Sequence, residues 1–362
     1  MSAKTILLKS ARALGLFSFV LSSQWRQARL LIICYHGVSI DDEHEWDPEL
    51  YITTERLRER LCILKKYGCA ILPLKSALQR MREGTLPPRA VAITFDDGAV
   101  DFCERAVPVL REFEVPVTLY LTTYYCLHQL PVFDTAISYI IWKGRHCKRD
   151  LSDLVGAADI SIETADGRAL ASSLLRDYAS RETMNAYEKD TLLRRVAEAL
   201  DVDFEAFVTS RLLCMMSPEQ VRGLPSDLVD VELHTHRHRT PRNQAAFVRE
   251  LNDNQSAIAS LTGNLSQRRH FCYPSGDYTA DFVVWLRDHG VESATTCVPG
   301  LSARDSEPLL LPRFVDSTTA TALSFEAWIS GFAELLPRRA EYRLDARRLV
   351  KTRGDKMVSG TT

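Results

Sequence analysis

The chain has 362 residues, a formal net charge of −2 and 46 % hydrophobic residues. This hydrophobic fraction supports a packed core in one large domain or two ordinary ones, and it excludes a chain that is disordered throughout. The near-neutral charge gives no electrostatic reason to expect a nucleic-acid partner. The nine cysteines stand singly and form no C-x-x-C pair, so we expect free thiols in a reducing compartment rather than a disulfide framework.

The first 29 residues are interpreted as an amphipathic helical segment. Lys4 and Lys9 precede an apolar patch from Ala13 to Leu21, which is also compatible with a weak signal peptide. Arg12 interrupts the apolar stretch, and no Ala-x-Ala cleavage site follows it. We therefore favour a helix that lies on the domain or contacts a membrane surface peripherally through residues 5–25. A cytoplasmic location is predicted, with export as the alternative.

Strands and helices alternate along most of the remaining chain, as the apolar runs and capping signals indicate. The runs interpreted as strands are Leu30–Tyr35, Cys69–Leu74, Val91–Phe95, Pro116–Thr122, Val229–Leu233, His270–Tyr273 and Val291–Thr296. The predicted helices between them end at about Gly68, Met81, Phe113, Leu261 and Leu286, and a last helix spans about Phe325–Leu336. This order is typical of an α/β fold with a parallel sheet and crossover helices.

One region, about Phe133–Met216, breaks the alternation. It is rich in helical patterns and charged residues, and we interpret it as an insertion that caps one end of the sheet. Ser217 and Gln220 form a capping box at which the alternation begins again. The main domain is therefore predicted over residues 30–335, with a flexible tail at 336–362.

Two adjacent carboxylates, Asp96 and Asp97, follow the central strand directly, and Gly98 comes next. Neighbouring negative charges repel, and burying them unpaired is unfavourable by several kcal/mol. A bound cation or a shared proton would remove this conflict, and both are used in hydrolytic chemistry. The alternative is a polar turn that closes the strand.

Three histidines lie within five residues at the end of a later strand. His234 and His238 are four residues apart, a spacing that on a helical turn places both imidazoles on one side. Strand ends of a parallel α/β fold converge on one face, so these imidazoles are expected near the Asp pair. One carboxylate with two imidazoles leaves coordination positions open for water and substrate. A solvated loop is the alternative.

These residues carry a resemblance to a known family. Thr94-Phe95-Asp96-Asp97-Gly98 and His234-Thr235-His236-Arg237-His238 resemble T-F-D-D-G and H-[ST]-x-x-H, the first two motifs of the polysaccharide deacetylases (NodB-homology domain, carbohydrate esterase family 4). Phe271–Gly276 is similar to the F-A-Y-P-x-G variant of the third motif. Tyr35–Val38 is similar to the Y-H-x-V opening of a branch often found with exopolysaccharide synthesis. The resemblance covers about residues 30–335 without the insertion.

The resemblance implies a distorted (β/α) barrel and metal-dependent removal of acetyl groups from N-acetylated sugars. Carried over by motif position, Asp97, His234 and His238 would bind a divalent metal, usually zinc, and Asp96 would be the general base. A backbone N–H near Ser275 would complete an oxyanion hole.

Two departures from the family pattern affect the predicted chemistry. The usual third motif is R-x-P-[YF], but Cys272 stands at the arginine position and Ser275 at the aromatic one. Arg313, also at a predicted strand end, is our substitute for the arginine that orients the base. The usual late Leu-x-His is absent, so His36 or a water would protonate the leaving amine.

Three functions remain open on the sequence. The favoured one is a metal-dependent deacetylase acting on an N-acetylhexosamine-containing polysaccharide, glycan or glycolipid intermediate. An amidase or deformylase for a smaller molecule would keep the same site, and an insertion that closes the groove into a pocket would favour it. A non-catalytic carbohydrate-binding relative is suggested by the missing late histidine, although the intact Asp96 argues against it.

Overall fold

The computed structural model describes residues 3–129, 132–147, 151, 154 and 161–337. Its strands are β1 Leu30–Tyr35, β2 Gly37–Val38, β3 Tyr51–Ile52, β4 Ala70–Ile71, β5 Ala90–Phe95, β6 Val117–Leu121, β7 Val229–Leu233, β8 His270–Cys272, β9 Ser293–Thr295, β10 Leu301–Ser302 and β11 Phe314–Val315. Its α-helices through the first half of the chain are α1 Ala3–Ala13, α2 Leu16–Ser22, α3 Gln24–Gln27, α4 Glu43–Trp46, α5 Thr54–Lys66, α6 Leu74–Glu83, α7 Val107–Glu112, α8 Tyr124–His128 and α9 Phe133–Lys143. Those that follow are α10 Ala165–Arg181, α11 Ala186–Ala199, α12 Phe204–Thr209, α13 Pro218–Arg222, α14 Gln244–Thr262, α15 Ala280–Asp288 and α16 Ala322–Ser330.

A curled, mainly parallel sheet forms the centre of the fold, in the order β10-β1-β5-β6-β7-β8-β9. The short strands β4 and β11 pair with β5 and β1, and the only antiparallel ladder among the described strands joins β1 to β10. Every residue of β1 and β5 is buried, as expected for apolar strands covered on both faces. The carboxyl ends of these parallel strands lie at one edge, where the acidic and imidazole motifs follow β5 and β7.

The segment 311–315 curls the sheet towards closure. Leu311 forms a parallel bridge with Thr295 at the end of β9, and Phe314 pairs with Ile33 in β1. One short segment therefore contacts both ends of the strand series, as in a distorted barrel. Arg313 lies between these two contacts, and its side chain is fully buried.

The insertion is helical and has its own apolar core. Helices α9 to α12 bury a cluster that includes Ile137, Leu175 and Val196, apart from the main core around the sheet. Tyr51, which precedes α5 in the main domain, also packs in this second core. The insertion is therefore joined to the domain by a side chain at the carboxyl edge of the sheet.

Two predicted boundaries were wrong. The strand expected over Cys69–Leu74 is limited to β4, because Pro73 has no N–H for a ladder bond and serves as the N-cap of α6. The last helix stops at Ser330 rather than Leu336. Gly331 adopts a φ of 81°, a left-handed conformation that ends α16 before a 3₁₀ turn.

The N-terminal segment consists of three helices rather than one. α1 and α2 meet at an angle of 70° at Gly15, and Leu8, Ala11 and Phe17 pack against the domain. None of the described helices is by itself long and apolar enough to span a membrane, although the bent pair α1–α2 meets that test by length and composition. Of the predicted tail 336–362, the residues from 338 onward lie outside the described part of the chain.

Candidate active site

The turn after β5 separates the two adjacent carboxylates. Asp97 and Gly98 both adopt positive φ, at 70° and 86°. A side chain at Gly98 would place its Cβ 2.2 Å from Leu121 Cδ1, so only glycine fits there. The turn leaves the Asp96 side chain 2 % exposed and that of Asp97 28 % exposed. One carboxylate therefore faces the barrel interior and the other faces solvent.

Asp96 is held by a buried two-point ion pair. Arg313 Nη1 donates to Asp96 Oδ1 and Nη2 to Oδ2, both at 2.7 Å. The same guanidinium donates from Nε to the Thr296 carbonyl oxygen at 3.0 Å and from Nη1 to Thr94 Oγ1 at 3.1 Å. Burial alone would raise the pKa of Asp96, but the charge of Arg313 outweighs burial and holds that pKa below its ordinary value. Asp96 is therefore an ionised carboxylate of fixed orientation.

Two buried thiols complete the surroundings of Asp96. Cys34 Sγ and Cys272 Sγ lie 3.5 Å and 3.3 Å from Asp96 Oδ2. Cys272 Sγ also lies 3.1 Å from Arg313 Nη2. Burial raises the pKa of Cys272 well above its ordinary value, so the thiol is neutral and donates to the carboxylate. The compact thiol at position 272 leaves room for the guanidinium of Arg313.

His234 is fixed by three contacts at the end of β7. Its backbone N–H donates to Asn254 Oδ1 at 2.9 Å, and its Nδ1 lies 2.9 Å from the Cys272 carbonyl oxygen. A carbonyl only accepts, so Nδ1 carries the proton. His234 Nε2 is 3.1 Å from Asp97 Oδ1. The carbonyl of Cys272, in the third motif, thus orients the His234 imidazole towards Asp97.

The segment from His234 to His238 is not the helical turn expected from the spacing. Thr235 and His238 adopt positive φ, at 62° and 54°, and the chain forms an irregular loop. The loop is held by backbone N–H bonds, from Arg239 to Thr235 Oγ1 at 3.0 Å and from Arg237 to Glu250 Oε2 at 2.7 Å. These side-chain acceptors satisfy the backbone without helical hydrogen bonds, which is why the helical expectation failed.

The loop nevertheless brings the two outer imidazoles to the same carboxylate. His238 Nε2 lies 3.2 Å from Asp97 Oδ1, the oxygen that faces His234 Nε2. The imidazole of His236 turns the other way, and its Nδ1 lies 2.8 Å from Thr123 Oγ1. Burial lowers the pKa of His238, but Asp97 outweighs burial and raises it above the ordinary value.

The donor atoms of Asp97, His234 and His238 fit a metal ion. All three lie within 4.8 Å of one another, as one ligand atom each. With its proton on Nδ1, neutral His234 presents an unprotonated Nε2 to a carboxylate oxygen, so two acceptors face each other across 3.1 Å. Such an arrangement needs a cation between the atoms, either a proton or a metal. Two imidazoles with one carboxylate are a donor set of the kind that binds zinc.

The other two predicted site residues lie in different places. His36 Nε2 is 3.6 Å from Asp96 Oδ2, and the ring lines a cavity in front of the Asp pair. Ser275, with a φ of 55°, is exposed and is not among the described residues that line that cavity. An oxyanion role for its backbone N–H stays a prediction.

The cavity has a volume of about 420 Å³. Asp97, Thr122 and His238 line it together with His36. Among the lining residues that the motifs did not indicate are Trp46, Tyr51, Tyr125, Asp134, Leu213, Met215 and Arg239. The sequence contained little indication that these residues line a cavity, because they come from a loop, a short helix and an insertion that meet only in the folded chain.

The family model described as polysaccharide deacetylase matches residues 83–135 and 189–294. The unmatched residues 136–188 belong to the predicted insertion. The match includes the acidic motif, the histidine motif and the Phe271–Gly276 turn. It therefore includes Asp97, His234 and His238, whereas His36 and Arg313 lie outside the matched residues.

Two curated relatives carry the name poly-beta-1,6-N-acetyl-D-glucosamine N-deacetylase. The protein from Escherichia coli strain K12 is 30 % identical over 100 residues, which are 27 % of this chain and 15 % of the relative. The protein from Staphylococcus epidermidis is 31 % identical over 72 residues, which are 20 % of this chain and 25 % of the relative. The matches thus span a quarter or less of these relatives.

Two solved structures share the fold. The deacetylase PplD of Streptococcus pyogenes, in complex with acetate, has a TM-score of 0.53 and 14 % identity, covering 85 % of this chain and 99 % of that one. IcaB from Ammonifex degensii has a TM-score of 0.52 and 17 % identity, covering 83 % and 97 %. At these identities the likeness shows the fold, and it confirms the predicted distorted barrel. The family model, the motifs and the fold therefore all indicate a similarity of this chain to the polysaccharide deacetylases.

Proposed function

We propose that this chain is a metal-dependent deacetylase that hydrolyses the N-acetyl group of an N-acetylhexosamine in a polysaccharide or glycan intermediate. The observation that carries the proposal is the pair of adjacent carboxylates with separate partners. Asp97 Oδ1 lies 3.1 Å and 3.2 Å from the Nε2 atoms of His234 and His238. The neighbouring Asp96 is ionised and accepts hydrogen bonds from Arg313. The similarity to the family and the names of the curated relatives support the substrate class.

Asp97, His234 and His238 would hold the metal. When bound, a divalent cation there supplies a Lewis acid and lowers the pKa of a coordinated water towards about 7. Zinc is the proposed ion, because imidazole nitrogen and carboxylate oxygen are its common ligands in catalytic sites. The bond from His234 Nδ1 to the Cys272 carbonyl keeps Nε2 directed at the site, as outer hydrogen bonds do for metal-binding histidines.

Asp96 would accept a proton from the attacking water. Its two bonds to Arg313 keep the carboxylate ionised and fix its orientation, which a general base requires. Hydrolysis consumes one water and breaks the C–N bond of the acetamido group, so that acetate and a free amine result. The amine nitrogen needs a proton on leaving, and His36, 3.6 Å from Asp96 Oδ2, is the proposed donor.

The experiment is metal analysis of the full chain together with acetate release from N-acetylglucosamine oligomers of the β-1,4 and β-1,6 types. We expect close to one metal per chain, loss of acetate release on chelation, and recovery when zinc is added. A fully metal-loaded protein that releases no acetate from any oligomer would refute the proposal.

One observation favours an amidase or deformylase for a small molecule as the second candidate. The cavity in front of the Asp pair is partly walled by the insertion, through Asp134, Thr135, Leu213 and Met215. The two candidates differ in what they turn over. A deacetylase releases acetate from sugar oligomers, whereas the alternative enzyme would act only on small amides that carry no sugar.

A further inference from the structure

We propose that the insertion makes this site specific for the terminal sugar of a chain, with Asp134 and Arg239 as specificity-determining residues. This inference rests on the proposed function and narrows its substrate class. A binding site that is open on both sides can bind a sugar unit in the interior of a polymer. A binding site that is closed on one side can bind only the sugar unit at a chain end.

The cavity is built from three separate parts of the chain. The barrel contributes Asp97 and His238, the segment after β2 contributes Trp46 and Tyr51, and the insertion contributes Leu213 and Met215. Apolar side chains of the insertion therefore line the same cavity as Asp97. Sequence proximity plays no part in this arrangement, because Leu213 is more than 100 residues from Asp97.

Helix α9, which supplies Asp134 and Thr135 to the cavity lining, is joined to the segment 41–46 of the main domain. Tyr139 Oη donates to Asp42 Oδ1 at 2.5 Å, and Lys143 Nζ lies 3.3 Å from Asp41 Oδ2. The rings of Trp46 and Tyr139 meet edge to face, with centroids 5.5 Å apart. Since helix α9 and the loop are joined by polar and aromatic contacts together, the cavity is a formed pocket and not a gap between independent parts.

The size of the pocket limits what enters it. Its volume of about 420 Å³ lies near the lower end of the roughly 300–1,000 Å³ typical of small-ligand pockets. This space suits one sugar unit with its acetamido group and part of a neighbour. Leu213 and Met215 of the insertion line the pocket beside Asp97, so we expect the insertion to limit how far a polymer extends past the pocket on that side.

Two opposite charges at the pocket are available to a sugar. Asp134 in α9 and Arg239 after the histidine loop both line the cavity, and no hydrogen bond or ion pair joins either side chain to a residue that the structure describes. The charges of both residues influence the pKa of Tyr125. Burial raises this pKa above its ordinary value, Arg239 lowers it and Asp134 raises it. Carboxylate and guanidinium groups beside aromatic rings match the hydroxyls and apolar faces of a hexose.

The first test maps the positions of deacetylation. N-acetylglucosamine oligomers of increasing length are incubated with the zinc-loaded full chain, and the products are sequenced by mass spectrometry. We expect one deacetylated unit per oligomer, at a chain end, and a rate per mole of chain that is independent of length. Deacetylation at internal units would overturn the inference while leaving the proposed function intact. No acetate from any oligomer would overturn the proposed function and this inference with it.

The second test changes the pocket without touching the metal ligands. Asp134→Asn and Asp134→Ala should raise KM for the terminal sugar about tenfold, as for a lost charged hydrogen bond. We expect kcat within about twofold of the parent and unchanged metal content, because no hydrogen bond or ion pair joins Asp134 to Asp97, His234 or His238. Glu182→Gln, at an exposed insertion carboxylate outside the cavity, is the matched control and should leave both constants unchanged. An unaltered KM in both Asp134 variants would refute the role of this residue.

Discussion

Asp96 and Asp97 are neighbours in the chain, but their side chains meet different partners. Because Asp97, and not Asp96, pairs with His234 and His238, Asp96→Asn should retain the metal and lose turnover. The expected loss is about 10²- to 10⁴-fold, the usual effect of a positioned general base. The measurement is metal content together with kcat for acetate release.

Asp97→Asn is the matched comparison, since it makes the same chemical change one residue away. It should lose metal and activity together, because two imidazoles alone hold zinc poorly. Parental turnover in Asp96→Asn would place the base elsewhere. Loss of metal from Asp96→Asn, with retention in Asp97→Asn, would exchange the two roles.

Arg313 carries a prediction about stability as well as catalysis. Both Arg313 and Asp96 are buried, so Arg313→Met leaves an uncompensated carboxylate in the barrel. The free energy of unfolding should fall by about 3–5 kcal/mol, as when one partner of a buried pair is removed. Urea denaturation followed by circular dichroism measures this change.

An exposed pair provides the control for this measurement. Arg269 lies 2.6 Å from Glu292 on the surface, and Arg269→Met should cost at most about 1 kcal/mol. Arg313→Lys retains the charge but not the two-point contact, so its stability should lie between that of Arg313→Met and the parent. Equal stability losses for Arg269→Met and Arg313→Met would contradict the role assigned to burial.

At the scale of elements, helices α1 and α2 and the turn between them present exposed apolar side chains that the domain does not cover. Leu14 and Phe19 are 77 % and 76 % exposed, while Leu8 and Phe17 pack inward. Residues 1–29 contain five basic and no acidic side chains. A basic segment with exposed apolar residues is suited to the surface of an anionic bilayer. We propose that this face gives the protein a peripheral membrane location on the cytoplasmic side.

The expected result is sedimentation of the full chain with vesicles that contain phosphatidylglycerol. Phe19→Ser should weaken this binding about tenfold or more, because a buried aromatic side chain contributes roughly 1.5–3 kcal/mol. Leu265→Ser removes an equally exposed apolar side chain outside the segment and should bind like the parent. Equal binding by Phe19→Ser and the parent would exclude this face as the contact.

At the scale of the whole molecule, the oxidation state of the cysteines tests the prediction of a reducing compartment. All nine cysteines are free in the structure, and Cys34, Cys126 and Cys272 are buried. Titration of denatured, unreduced protein should therefore find close to nine thiols. Several stable disulfides in that sample would instead favour export and a signal peptide.

The barrel as a whole explains why Arg313 serves Asp96. The segment 311–315 bridges β9 and β1, so a side chain from its middle points into the interior beside the end of β5. In the family pattern the arginine belongs to the third motif, where this chain has Cys272. The thiol and the guanidinium are 3.1 Å apart, which shows that both positions reach the same space.

The sequence by itself determined the succession of strands and helices along the chain, the two motifs and the family resemblance, because local patterns of apolar, acidic and imidazole residues carry that information. Hydrogen bonds between residues far apart in the sequence decided the shape of the histidine loop and the walls of the pocket. The loop at His234–His238 took its shape from Glu250 and Asn254, which no local spacing indicates. The walls of the pocket likewise depend on contacts across the chain, from Asp42 to Tyr139. Only the tertiary structure could decide these features, since side chains far apart in sequence satisfy the polar groups and fill the space.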